Sequence, residues 1–98
     1  MVRLSPETRR RVERLFDGAE QREEAAHLLE EQCGNNLAFP TQLDAVALER
    51  YRFAALKLSE GDLERLRQAV TLAKRDWRDL LMAAGFGHDI YEHERWLP

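Results

Sequence analysis

Cysteine is almost missing from this chain. Cys33 is the only one in 98 residues, so no disulfide can close within it. A lone thiol fits a reducing compartment, and the cytoplasm is the expected location. Long apolar runs are missing too. No stretch approaches the ~20 apolar residues that a membrane-spanning helix needs. The opening Met-Val-Arg-Leu-Ser-Pro lacks the apolar core of a secretion signal. There is no glycine-rich phosphate loop and no His-Glu-x-x-His motif. Alternating apolar and polar residues, the mark of a half-buried strand, are absent as well.

A strong excess of one charge is also missing. The net charge of −3 steers the whole molecule toward neither DNA nor an anionic membrane. What the chain does hold is 44% hydrophobic and 34% charged residues. That pairing suits helices with one apolar and one charged face, and it is the wrong composition for disorder. The charge lies in blocks. Residues 1–16 carry five arginines against two glutamates, residues 17–49 carry eight acids against Arg22, and residues 50–79 are basic again. Neighbouring blocks can attract each other within one fold.

Four helical segments follow from caps and periodicity. Ser5 can cap the first, Pro6 fits its first position, and Glu7 favours the positive end of the helix dipole. Val12, Leu15 and Phe16 form its apolar face, and Asp17-Gly18 ends it. The second carries Ala25, Ala26, Leu28, Leu29 and Cys33 on one side and glutamates on the other. Gly34-Asn35-Asn36 stops it. The third starts near Thr41. It is apolar over much of its circumference through Leu43, Ala47, Tyr51, Ala54 and Leu58, so it should sit centrally. Ser59 marks the next break. The fourth carries Leu63, Leu66, Val70, Ala73, Trp77, Leu80 and Ala84, a heptad seam that predicts one helix roughly 37 Å long.

The expected fold is a single all-α domain over residues 1–98. It is a small four-helix, mostly antiparallel bundle, with helices at about 6–16, 19–33, 41–58 and 60–84 and the tail, residues 86–98, packed back on it. Phe86, Ile90, Tyr91, Trp96 and Leu97 make that tail too apolar to remain solvated.

No complete catalytic set emerges, so the chain is expected not to be an enzyme and to need no cofactor. Cys33 lies six residues after His27, on a different side of the same helix, and reads as a small buried hydrophobe. Ser5 and Ser59 read as caps. His27, His88 and His93 could contribute to a small metal site. Acids spaced three or four residues from histidines are also ordinary surface pairs, and the ligand set is incomplete, so no metal is expected. Arg9, Arg10, Arg11 and Arg14 could touch phosphates of a nucleic acid. The arginines and lysines of the fourth helix are interleaved with acids, as on a solvated helix face, so a nucleic-acid regulator is the weaker alternative. The leading expectation is a helical module that binds a protein partner or a second copy of itself, as a homodimer. Its contact surface would combine Asn35, Asn36 and Leu37 with Tyr91 and Trp96.

Overall fold

Helix formation begins where Ser5 offers its side chain. Its Oγ accepts the Thr8 N–H at 3.2 Å, and Pro6 fills the first helical position. The computed structural model describes residues 3–33, 45–87 and 91–98. Their regular structure is α1 (Pro6–Leu15), α2 (Ala19–Gln32), α3 (Ala45–Ser59), α4 (Leu63–Arg75), α5 (Trp77–Ala84) and a 3-10 turn at Glu92–Arg95. There is no strand among the described residues. The fold is therefore an all-α bundle.

Helix α3 is the axis of the bundle because most of its surface is apolar. Tyr51 and the run from Phe53 to Leu56 are buried, and α3 packs against α1, α4, α5 and the 3-10 turn. Helix α2 packs on α1 and α4. Val12, Phe16, Ala25, Leu29, Leu66, Val70 and Leu80 join the α3 residues in one continuous core. Burying each large aliphatic side chain contributes about 1.5–3 kcal/mol relative to leaving it in water. Arg52 is buried in that core with 2% exposure, and its guanidinium donates to the carbonyls of Cys33 at 2.9 Å and Arg3 at 3.1 Å. It thus ties the N-terminal strap and the end of α2 to α3.

Two boundaries differ from the sequence expectation. The long helix over 60–84 is two helices, α4 and α5, because Asp76 leaves the helical conformation at φ −156°, ψ 95°. Its N–H closes α4 on the Leu72 carbonyl at 2.7 Å. Its carboxylate then caps α5, accepting the N–H groups of Arg78 and Asp79 at 3.1 and 3.3 Å. Every seam residue on either side of this break still faces inward to some degree. Leu66, Val70, Ala73, Leu80 and Ala84 are buried, and Leu63 and Trp77 are partly buried.

The second difference is at the start of α4. Ser59 ends α3 rather than capping α4. Its hydroxyl donates to the Leu56 carbonyl at 2.6 Å and accepts the Gly61 N–H at 3.3 Å. Asp62 caps α4 instead, through Glu64 and Arg65. Between them Gly61 adopts φ +82°, and a Cβ there would stand 2.5 Å from the Leu15 carbonyl oxygen. The turn needs glycine because the end of α1 lies directly against it. The expected start of the third helix at Thr41, and Leu43 with it, fall outside the described residues.

Candidate functional site

The C-terminal segment is held to the bundle mainly through its own carbonyl groups. Gly85 closes α5 in the left-handed conformation, and Phe86 turns into the core with its N–H on the Leu81 carbonyl at 2.8 Å. Two cations of α3 reach the same stretch. Lys57 donates to the Ala84 carbonyl at 2.8 Å, and Arg50 donates to the Phe86 carbonyl through Nε at 3.2 Å and through its terminal nitrogen. Both are charge-assisted bonds at or just beyond a helix C-terminus, where positive charge is favoured.

Farther along, Arg11 of α1 is the anchor. Its Nε and Nη2 both donate to the Trp96 carbonyl, at 3.1 and 2.9 Å, and its Nη1 donates to the Glu7 carbonyl at 2.9 Å. The guanidinium plane rests on the Phe53 ring, 3.9 Å from its centroid. The Trp96 ring stands 6.2 Å from Phe53 and 6.4 Å from Phe86, centroid to centroid, so it packs inward and is only partly exposed. His93, on the 3-10 turn, is fully buried. Arg14 reaches the Pro98 carbonyl at 3.4 Å.

With the inner side pinned, two apolar side chains among the described residues of this segment remain outside. Tyr91 is 51% exposed and Leu97 is 75% exposed. The structure therefore separates the two tail residues singled out in the sequence: Tyr91 faces water and Trp96 serves the packing. Asn35, Asn36 and Leu37 lie outside the described residues. In the sequence Leu97 is only one of several apolar residues of the tail, beside the larger Trp96. Nothing in their order in the chain says which of the two turns inward.

The arginine cluster is divided in the same way. Arg11 is 3% exposed and committed to Trp96, Glu7 and Phe53. Arg10 pairs with Glu7 at 2.7 Å, and Arg9 lies 3.9 Å from Glu30. Glu30 also accepts the Leu4 N–H at 3.0 Å. Between α1 and α2 these residues border an open groove of about 360 Å³, floored by Val12 and Ala26 and rimmed by Arg22, Glu23 and His27.

The two described histidines, His27 and His93, do not converge. His27 is exposed on α2 and pairs with Glu31 at 2.9 Å, whereas His93 is buried behind α3 and His88 lies outside the described residues. No group of three metal-ligating side chains occurs among the described residues. Burial pushes the Cys33 thiol up to about 12, against the opposing pull of Arg52 and Lys74. A thiol in that state is protonated and inert at neutral pH. No helix among the described residues is long and apolar enough to cross a membrane. No protein-family model, curated protein or solved structure matches the chain.

Proposed function

We propose that this chain is a non-enzymatic, cytoplasmic protein-interaction module that makes contact through the outer side of its C-terminal segment, with a second copy of itself as the first partner to test. One observation carries this reading. Tyr91 and Leu97 stay exposed on a segment whose backbone and inner side chains are fastened to α1 and α3. Ordering a flexible tail normally costs binding energy, and here that ordering has already occurred within the chain. A tyrosine on a fixed frame offers a large contact area with few rotatable bonds. The inert thiol of Cys33 and the separation of His27 from His93 favour binding over catalysis. The free cysteine supports the cytoplasmic placement.

The test compares the wild-type chain with a Tyr91→Ser/Leu97→Ser variant. Both changes lie on the surface, so the fold should survive them. Light scattering across a concentration series should give a dimer for the wild type, with association weakened at least about tenfold in the variant. A heterologous partner would show instead as a protein retained by the wild type and lost by the variant. A one-chain mass for both proteins, together with identical captured proteins, would defeat the reading.

A further inference from the structure

Two surfaces on different sides of α1 are unlike in shape and in charge. On one side, positions 9, 12 and 13 turn toward α2 and border the open groove between the two helices. Its floor, Val12 and Ala26, is apolar, and Glu13, Glu23 and Glu30 supply its carboxylates. The two guanidiniums of the groove are drawn to groups of their own chain. Arg22 donates to the Phe16 carbonyl at 2.8 Å, and Arg9 lies 3.9 Å from Glu30. Glu13 and Glu23 stand exposed. Past His27 the acidic side continues to Glu20, beside a second shallow hollow.

On the other side, positions 7, 10, 11 and 14 turn toward the C-terminal segment and border a small cavity of about 150 Å³ with Leu97 and Pro98. Arg10, Arg11 and Arg14 stand there against one glutamate, Glu7. Leu97, at 75%, is the most exposed large apolar side chain among the described residues. Its backbone is held on both sides, by Arg11 on the Trp96 carbonyl and by Arg14 on the Pro98 carbonyl. A fixed apolar knob flanked by positive charge thus stands across α1 from an apolar floor rimmed by negative charge.

We propose that the groove between α1 and α2 receives Leu97 of a second copy of this chain, head to tail, with Arg10 and Arg14 of the incoming copy set beside Glu13 and Glu23. This rests on the interaction reading above and names the surface that the tail meets. A tail cannot enter the groove of its own chain, because Arg11 holds Trp96 on the far side of α1. Pairing of Leu97 with Leu97 would bring the arginines of two copies together, whereas the groove offers carboxylates. Burial of the leucine supplies attraction, and the charges select the partner and its register. Knob and groove lie on different sides, so the contact does not close on itself. A pair keeps one free tail and one free groove, and longer chains follow as the concentration rises.

The experiment uses the full chain in three forms: wild type, Leu97→Ser and Glu13→Arg/Glu23→Arg. The changed side chains are exposed, and circular dichroism checks that each variant keeps its helices. Light scattering over a concentration series should show association of the wild type that weakens at high salt. Either variant alone should associate at least about tenfold more weakly. The deciding arm is the equimolar mixture of the two variants. One brings an intact groove and the other an intact tail, so the mixture should regain a mass of two chains and stop there. A mixture that stays at one chain overturns the inference. So does a groove variant that self-associates like the wild type, an outcome in which tail meets tail and the interaction reading stands. A wild type of one-chain mass at every concentration also overturns it, and the captured proteins then judge the interaction reading separately. If the double reversal loses its helices, Glu13→Gln/Glu23→Gln takes its place, and unchanged self-association of that variant overturns the inference.

Discussion

At the residue scale, several arginines among the described residues act on backbone carbonyls rather than on carboxylates alone. Arg11 holds Trp96, Arg22 holds Phe16 at 2.8 Å, Arg50 holds Phe86, and Arg52 holds Cys33 and Arg3. A guanidinium suits this work because it presents several donors in a rigid fork. Arg52 is the most demanding example, since its side chain and its Cys33 partner are both buried. Arg52→Met should cost about 2–4 kcal/mol by leaving those carbonyls unsatisfied. Arg52→Lys should recover only a fraction of the loss, because an ammonium cannot span the same acceptors. Urea denaturation of the three proteins measures both effects.

Glu49 gives a second residue-scale prediction. Burial raises its carboxyl above the usual carboxylate range, outweighing the attraction of Arg11. The folded protein therefore holds that proton more tightly than the unfolded chain. This contribution to stability is present at low pH and is lost as the pH rises through the raised value. The difference in melting temperature between wild type and Glu49→Gln should accordingly shift in favour of the variant on going from about pH 4 to about pH 6.

At the element scale, caps decide where helices start and stop, and they do so independently of the apolar stripe. Asp76→Ala should cost about 1 kcal/mol, since it deletes the side chain that accepts two N–H groups of α5. Thermal melts of the variant check the magnitude. The Ser5-Pro6-Glu7 start of α1 could be read from the sequence because every signal there agrees. The inward series from Leu63 to Ala84 could be read as well. The break at Asp76 could not, because the heptad spacing runs through it without a skipped position. Asp76 then resembles one more acid in a charged helix face. Ser59 and Asp62 are both suitable caps three residues apart, and local rules alone do not choose between them. In the fold Ser59 turns back to the Leu56 carbonyl and Asp62 takes the cap, with Gly61 between them against the Leu15 carbonyl. The docking of the tail was legible in its composition. The inward turn of Trp96 and the outward turn of Tyr91 were not, because they depend on Arg11 and Phe53, residues distant in the sequence.

At the scale of the whole molecule, the helices share one core, so damage at one point is felt everywhere. Leu66 is fully buried on α4 and Val70 is 2% exposed beside it. Leu66→Asp or Val70→Asp should unfold the domain, because the carboxylate would enter the core without a partner. Circular dichroism at 25 °C would show loss of helix. A variant that melts like the parent would mean that α4 does not bury this face.

The bend at Asp76 also governs how copies of this chain can meet. An unbroken rod with a seven-residue apolar repeat would invite a twin to lie alongside and zip along its full length. Two short rods folded around their own neighbour offer no such rail.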